Sequence, residues 1–402
     1  MLLGTALLAA AATLGNAAQV YWHTECGCTG LEVEAVSWIC PFVPRDGLAT
    51  LAVNRCSAGN GRCAYAEDLV RCMDAAEDVG DAALGPDALA VVHIGYRGVC
   101  GSETGRVHER VAAAKHRVLR SMYEVDRIPA DAVERCNDAF YDAVWVPSTF
   151  VRDAFVASGV HADRLVVVPA GIDTTVYRAQ ASEDDVALFT FAGSAHAVKL
   201  LSAFKFEERK NWQALIRAFA DEFGKDGGVE LHIKTAVTFG RDPRREMPRY
   251  LGQPLEAVGI HLVMDRLDAK AMAAMYRQAD AFILPSHAEG FGLTFLEAMA
   301  CGLPTAGLDF GGSLDFMADG ENALLMPVER LSPGFSGFRW ADVALADVRR
   351  TMRRLVDERA TLRATIGAAA AASVAADFSA DVVFARHVRP AMAAFVGEHD
   401  EL

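Results

Sequence analysis

Short apolar runs alternate with amphipathic segments along most of the chain. The runs are rich in β-branched and aromatic residues, which is typical of buried strands. Segments such as "NWQALIRAFADEFG" and "AKAMAAMYRQA" place apolar residues at i, i+3, i+4 and i+7, the spacing of one helix face. The alternation predicts an α/β fold with parallel sheets covered on both faces. The predicted strands are "QVYWHT", "ALAVVHIGY", "RVLRSMYEV", "DAVWVPS", "RLVVVPA", "LLSAFKF", "VELHIKTAV", "GIHLVMDRL", "DAFILPS" and "PTAGLDF".

The polar segment "RAQASEDD", residues 178–185, separates two such series of strands and helices. We therefore expect two doubly wound domains, at residues 19–177 and 186–375, joined by this segment as a linker. A further helix at residues 376–396 is expected to pack back on the first domain. Because ligands of doubly wound sheets bind at the carboxyl ends of the strands, the sequence predicts a ligand cleft between the domains.

Composition narrows the class of protein. The chain has 402 residues, of which 52% are hydrophobic and 23% charged, as in a globular protein large enough for two cores. The net charge of −14 argues against nucleic acid as a partner, because a phosphate backbone would be repelled. Beyond the first residues, no stretch is apolar for long enough to form a transmembrane segment.

Both ends carry targeting patterns. Residues 2–18 form a Leu/Ala-rich run without charge, which predicts a signal peptide at 1–18, although it lacks an early Lys or Arg. An Ala-rich helix leading into the first strand is the alternative. Residues 399–402 read HDEL, the signal that the HDEL receptor binds, and the alternative is a charged frayed end. Together the two patterns predict a soluble protein of the endoplasmic reticulum lumen.

Eight of the nine cysteines lie in the first third of the chain. An oxidising lumen would allow them to form disulfides in pairings that the sequence does not fix. Zinc is the competing interpretation, but there is no C-x-x-C pair, so disulfides are favoured. Cys301, far along the chain, is predicted to be a buried free thiol. The disulfide candidates are Cys26, Cys28, Cys40, Cys56, Cys63, Cys72, Cys100 and Cys136.

The segment "HAEGFGLTFLEAMACGLP" follows a predicted strand directly and contains candidate chemistry. A strand-to-helix turn is expected up to Gly292, with a helix from Leu293. Glycines let backbone amides approach a ligand, and the helix start offers N–H groups and a positive dipole end, which favours a phosphate. Glu289 lies in the loop and Glu297 on the helix, so the two carboxylates are expected to reach different parts of one elongated ligand. By itself, such a turn would indicate only a tight connection.

Residues 279–317 resemble the signature of retaining glycosyltransferase family 4, the glycosyl transferases group 1, with its two glutamates separated by seven residues. Residues 145–160, 166–177 and 200–219 match other parts of the family in order, and residues 122–137 resemble an acceptor-domain segment of one branch. The resemblance covers most of residues 90–330. It implies the GT-B fold, in which two Rossmann-like domains face each other across a cleft, and a nucleotide-sugar donor.

The resemblance also implies a role for individual residues. Glu289 would contact hydroxyls of the donor sugar, and Glu297 would hold the ribose. Lys205 and Lys210 would neutralise the diphosphate, with Arg209 as a rival for one of these roles. An exposed charged turn before a helix is the alternative for all three cations. Backbone near the donor would come from Gly290, Phe291, Gly292 and Leu293, and from Gly30 in the first domain.

Two features depart from the family pattern. Thr294 stands where the family usually has proline, and an insertion-like segment, residues 192–198, precedes one strand. The family often places a histidine of the first domain near the transferred sugar. His93 is the nearest candidate, although a histidine at a strand end is about as often structural, and Glu124 or Asp126 are alternatives.

The implied reaction is sugar transfer with retention of configuration, in which the acceptor hydroxyl attacks on the face that the nucleotide leaves. Neither a metal nor another cofactor is expected. In the lumen, the donor is expected to be a UDP-sugar and the acceptor a protein side chain or a glycan. The alternatives are a lumenal glycan- or nucleotide-binding protein without transfer activity, and a phosphorylase or epimerase on the same fold.

Overall fold

The computed structural model describes residues 20–24, 51–54 and 89–94 as strands, residues 112, 114–224, 228–334 and 337–395 in full, and Val396 as the end of a helix. The chain divides into two compact units. The first contains the described residues up to Tyr123, Arg127–Gly171 and those from Ala380 onward, whereas the second contains Ile172–Ser379 and the short segment Glu124–Asp126. Within the described ranges, no helix is both long and apolar enough to cross a membrane.

The first unit is built on a parallel sheet with the strand order β2-β1-β3-β4-β5-β6. Its strand β5 is buried along its whole length, as expected of a strand covered on both faces. The strands are β1 (Val20–Thr24), β2 (Leu51–Asn54), β3 (Leu89–Ile94), β4 (His116–Ser121), β5 (Ala143–Val146) and β6 (Leu165–Val167). The helices described after β4 are α1 (Ala130–Asn137) and α2 (Thr149–Ser158).

The second unit is built on another parallel sheet, with the order β12-β11-β10-β7-β8-β9. From β7 the chain moves outward through β8 and β9, and it then returns to β10 on the other side of β7. The strands are β7 (Val198–Ala203), β8 (Val229–Lys234), β9 (Ile260–Val263), β10 (Ala281–Ile283), β11 (Thr305–Leu308) and β12 (Leu324–Met326). An antiparallel hairpin follows, formed by β13 (Arg330–Pro333) and β14 (Arg339–Asp342).

Helices connect the strands of the second unit and continue to the end of the described chain. Those up to β14 are α3 (Asp185–Leu188), α4 (Trp212–Phe223), α5 (Pro243–Leu251), α6 (Ala269–Gln278) and α7 (Leu293–Ala300). Those after β14 are α8 (Leu345–Asp357), α9 (Arg359–Leu362), α10 (Ala368–Asp377), α11 (Ala380–Val383) and α12 (Arg389–Val396). Helices α11 and α12 begin at Ala380 or later and therefore belong to the first unit.

The α/β fold class and all ten predicted strands are confirmed. The short strands β2 and β12 and the hairpin β13–β14 were not predicted. The segment at 178–185 differs from a free linker, because the division between the units falls at Gly171/Ile172 and the segment lies within the second unit. Its last residue, Asp185, is buried, and its Oδ1 is 2.6 Å from Nη2 of Arg277.

One cysteine prediction is wrong and another is confirmed. Cys136 was expected to form a disulfide but is a buried free thiol on α1, and burial raises the pKa of this thiol to about 12. Cys301 is buried and free, as predicted. The other seven cysteines, the N-terminal run and the HDEL tetrapeptide lie outside the described residues.

Candidate active site

The candidate site lies at the switch point of the second sheet, between β7 and β10. The connections that leave these two neighbouring parallel strands run to opposite sides of the sheet, so their carboxyl ends flank a crevice. Lys205 follows β7 by two residues, and a short helical turn at Glu208–Lys210 comes next. Glu289 follows β10, before α7. The topology therefore brings together side chains that are about eighty residues apart in sequence.

Glu289 is buried and pairs with two cations. Lys210 Nζ donates to its Oε1 at 2.6 Å, and Arg209 Nη1 donates to its Oε2 at 3.0 Å. The main chain is also fixed, because the amide of Gly312 donates to the carbonyl oxygen of Glu289 at 2.7 Å. A buried carboxylate with both oxygens engaged by cations is stable in the charged form.

The ionisation of this group follows from its neighbours. Burial by itself would raise the pKa of Glu289, but Lys210 and Arg209 outweigh it and hold the pKa at about 2. Burial and the charge of Arg209 together lower the pKa of Lys210, against the attraction of Glu289. At neutral pH Glu289 is therefore an anion and a hydrogen-bond acceptor, and it has no proton to give.

Arg209 connects Glu289 to two further carboxylates. Its Nη2 is 3.2 Å from Oε1 of Glu124 and 3.8 Å from Oε2 of Glu207. Burial opposes its charge, but Glu124, Glu289 and Glu207 together raise the pKa of Arg209 above its ordinary value. Arg209, which the sequence offered only as a rival to the lysines, thus lies at the centre of the charge network.

Lys205 differs from the two cations beside it. It is half-buried, and its ammonium makes no hydrogen bond or ion pair with any residue that the structure describes. Burial lowers the pKa of Lys205, and Glu207 partly compensates. An anionic ligand could therefore bind Lys205 without breaking an existing ion pair in the described part of the chain.

The strand-to-helix turn has the predicted form. Gly292 precedes α7 with φ +103°, and no side chain caps the helix start. A Cβ at Gly292 would lie 3.0 Å from Cδ2 of Phe295 and 3.3 Å from Cβ of Ser313, so both the positive φ and the limited space favour glycine. The side chain of Phe291 is buried against Phe316, with ring centroids 5.2 Å apart, and it serves the core. Gly290 and Leu293 lie in the same turn and at the helix start.

Glu297 lies on α7 in a different environment. The hydroxyl of Tyr276 donates to its Oε2 at 2.8 Å. Burial raises the pKa of Glu297 to about 7, although hydrogen bonds from Tyr276 and Tyr177 act in the opposite direction. Glu297 therefore holds its proton up to a much higher pH than Glu289 does. The sequence pattern alone did not indicate Tyr276, which reads as an ordinary apolar-face residue of a helix.

The remaining residues that the sequence suggested for the site are Glu124, Asp126, His93 and Gly30, and the structure describes only the first two of them with their side chains. Glu124 and Asp126 belong to the short segment that counts with the second unit; Asp126 Oδ2 is 2.9 Å from Nε of Arg339. His93 lies in β3, where only the strand is described. Gly30 lies outside the described residues. Glu207, next to the charged turn, was missed because an exposed carboxylate and a site carboxylate look alike in sequence.

Comparisons with known proteins agree with this geometry. A Rossmann-like sheet with cations and a carboxylate at its switch point is the kind of unit that binds nucleotides. Residues 196–332 match the model of the family "Glycosyl transferases group 1". The matched segment contains Lys205, Lys210, Glu289 and Glu297.

Solved structures show the fold of the chain. It is similar to the Anabaena protein HepE in complex with UDP and glucose, with a TM-score of 0.68, 15% identity and coverage of 94% of this chain and 100% of that one. It is also similar to a glycosyltransferase from Rickettsia africae, with a TM-score of 0.70, 13% identity and coverage of 96% and 100%. The fold is therefore the two-domain GT-B fold, as the resemblance implied.

A sequence relative covers a smaller part. A D-inositol 3-phosphate glycosyltransferase of Acidothermus cellulolyticus is 27% identical over 193 residues, which are 47% of this chain and 42% of the relative. The chain thus spans less than half the length of this curated relative.

Proposed function

We propose that the protein is a retaining glycosyltransferase that moves a sugar from a UDP-sugar to a protein or glycan acceptor. The observation that carries the proposal is the switch-point site itself. There, an ionised Glu289 is held by Lys210 and Arg209, and Lys205 lies beside them without a partner among the described residues. The proposed family roles of Glu289, Lys205, Lys210 and Glu297 all fall within this second unit.

The proposed reaction breaks the bond between the anomeric carbon and the diphosphate oxygen, and forms a bond from the same carbon to the acceptor oxygen. The acceptor proton leaves with the nucleoside diphosphate. As the old bond breaks, negative charge grows on the diphosphate, and in this proposal Lys205 and Lys210 stabilise it. Since the pKa of Glu289 is about 2, this residue acts as an acceptor for sugar hydroxyls and not as a proton donor.

Two similarities support the choice of substrates. The HepE structure contains UDP and glucose, which favours a UDP-sugar as the donor to test first. The relative of Acidothermus cellulolyticus is named for D-inositol 3-phosphate, so a phosphorylated polyol belongs among the acceptors to be tested beside proteins and glycans. The nucleotide, the sugar, the acceptor and the retention of configuration all belong to the proposal.

The location in the endoplasmic reticulum lumen is also a proposal. It rests on the sequence patterns at residues 2–18 and 399–402. Expression of the chain in a eukaryotic cell with and without the last four residues tests it. Retention that changes to secretion when the tetrapeptide is removed would support the proposal, and the same distribution of both forms would refute it.

Nucleotide release by residues 19–402, produced through a secretory pathway, tests the transferase proposal. The chain is offered a panel of sugar nucleotides with and without acceptors. We expect acceptor-dependent release from one donor, with loss in Glu289→Ala and Lys210→Ala and no loss in the exposed controls Glu256→Ala and Lys270→Ala. Bound nucleotide without release from any donor would refute transfer and favour the binding-protein alternative. Turnover without an acceptor would favour an epimerase.

A further inference from the structure

Hydrogen bonds join the hairpin β13–β14 to His287, two residues before Glu289. The amide of Ala341 donates to the carbonyl oxygen of His287 at 3.0 Å. Nδ1 of His287 lies 2.8 Å from the carbonyl oxygen of Ala341 and 3.2 Å from Oδ1 of Asp342. Because both of these neighbours are hydrogen-bond acceptors, Nδ1 carries the proton and donates. Backbone and side chain of His287 thus both bind the second strand of the hairpin.

The imidazole ring is also held by stacking. Trp340 lies parallel to His287, with ring centroids 4.7 Å apart and an interplanar angle of 11°. The indole packs closely against Gly334, where a Cβ would lie 2.6 Å from Cδ2 of Trp340. Neither ring can shift freely in this arrangement. Burial lowers the pKa of His287, against the pull of the Ala341 carbonyl and Asp342, which favours the neutral ring.

From His287 the contacts continue into the charge network. The amide of His287 donates to the carbonyl oxygen of Arg209 at 2.8 Å. The hydroxyl of Ser286 is 3.1 Å from the same oxygen. The guanidinium of Arg209 donates back to the carbonyl oxygen of Ala288 at 2.7 Å and to Oε2 of Glu289 at 3.0 Å. Arg209 is therefore fixed at its main chain and at its side chain by residues 286–289.

We propose that His287 is a positioning residue for sugar transfer: the hairpin β13–β14 fixes it, and it fixes Arg209 and Glu289. This inference rests on the proposed function. Transfer requires the carboxylate and the cations to be placed to within a fraction of an ångström, and such placement depends on supporting residues that do not contact the substrate. His287 supports the two groups from the side of the hairpin, through hydrogen bonds whose geometry the ring stack maintains.

Three substitutions separate the two contacts of the His287 side chain, the hydrogen bond from Nδ1 and the stack on Trp340. His287→Ala removes both, His287→Phe keeps a ring for the stack without the donor, and His287→Asn keeps a donor close to the place of Nδ1 without the ring. His161→Ala is the matched control, because His161 is exposed and its side chain caps no helix. All variants are assayed at a temperature well below their melting transitions, so that unfolded protein does not contribute.

We expect kcat for nucleotide release to fall by roughly ten- to a hundredfold in His287→Ala, as for misplacement of catalytic groups by about 1 Å. The Kd for UDP should change by less than about threefold, because no contact of His287 reaches Lys205 or Glu297. His287→Asn should recover most of kcat and His287→Phe little of it. Unchanged kcat in His287→Ala, or a loss that appears in Kd alone, would overturn the proposal.

A second readout does not depend on activity. The amide of Gly312 donates to the carbonyl oxygen of Glu289, so its hydrogen exchange reports whether the turn is fixed. Exchange at Gly312 should become faster in His287→Ala and in Trp340→Ala but not in His161→Ala, and unchanged exchange would overturn the inference. If the unsubstituted chain releases no nucleotide, the proposed function fails, and the exchange of Gly312 still decides whether His287 holds the turn.

Discussion

Replacement of Glu289 by glutamine tests the electrostatics of the site directly. The substitution keeps the size of the side chain and removes its charge, so Lys210 and Arg209 lose a buried partner. The pKa of Glu289 is lowered from 4.5 to about 2, and at about 1.4 kcal/mol for each pH unit this corresponds to about 3 kcal/mol of stabilisation. The side chain is buried, so solvent screens little of this energy. Loss of one partner of a buried ion pair commonly destabilises a protein by about 3–5 kcal/mol, which agrees with this value.

The lowered pKa of Glu289 also determines how its contribution to stability changes with pH. A carboxyl group with a lowered pKa stabilises the folded chain fully above its unfolded value of 4.5, and this stabilisation is lost as the pH falls toward about 2. We therefore expect Glu289→Gln to lower the free energy of unfolding by about 3 kcal/mol at pH 7 and by a similar amount at pH 5.5.

Urea denaturation followed by circular dichroism measures this difference at each pH, with Glu256→Gln as the exposed control. Hydrogen exchange of the second unit serves as a check that the same unit unfolds in both proteins. A variant as stable as the unsubstituted chain at pH 7 would refute the reasoning. A difference that does not shrink as the pH falls from about 5.5 to about 3 would place the pKa of Glu289 near its ordinary value, with the same consequence.

Three further predictions concern the neighbouring groups. Lys205→Ala should weaken UDP binding about tenfold or more, as measured by calorimetry. Its melting temperature should be close to that of Lys270→Ala, because no described residue pairs with the Lys205 ammonium. Unchanged UDP affinity would contradict this role of Lys205. Tyr276→Phe removes a hydrogen bond that lowers the pKa of Glu297, so this pKa should rise above about 7. The pH at which UDP affinity reaches half its alkaline value should therefore move upward. A downward shift of that pH would refute the assignment. Gly292→Ala should lower the free energy of unfolding by about 1–3 kcal/mol, which is more than Gly252→Ala should. Both glycines have a positive φ, but of the two only Gly292 has close neighbours around the added Cβ. Equal losses of stability would show that the space around Gly292 is unimportant.

The sequence predicted the parts of the structure that local pattern determines. Strands such as β10 are continuous apolar runs, and their parallel arrangement follows from the alternation with helices. The turn before α7 was predictable because Gly292 and the following helix are adjacent in sequence. The hairpin β13–β14 escaped prediction because its first strand is largely exposed and has no apolar face.

Long-range pairing explains most of the remaining differences. The contacts of Arg209 with Glu289 and of Asp185 with Arg277 join residues that are about eighty or more positions apart, and charged residues of this kind also occur on ordinary surfaces. The pKa values of Glu289 and Glu297 differ because one carboxyl is beside two cations and the other is beside tyrosine hydroxyls. Two glutamates of the same motif thus acquire opposite ionisation properties from partners that the motif does not contain.

The charge balance of the site indicates how a diphosphate would enter it. The positive charges of Lys205, Arg209 and Lys210 are matched in number by the carboxylates of Glu124, Glu207 and Glu289, but the pairing is uneven. Arg209 and Lys210 are bound to carboxylates, whereas Lys205 is not bound to any described residue. An incoming diphosphate can therefore bind Lys205 first without separating a buried pair, which would be costly. Arg209 and Lys210 can meanwhile keep Glu289 ionised and in place for the sugar, while the ammonium of Lys210 adds its charge to that of Lys205 as the diphosphate leaves.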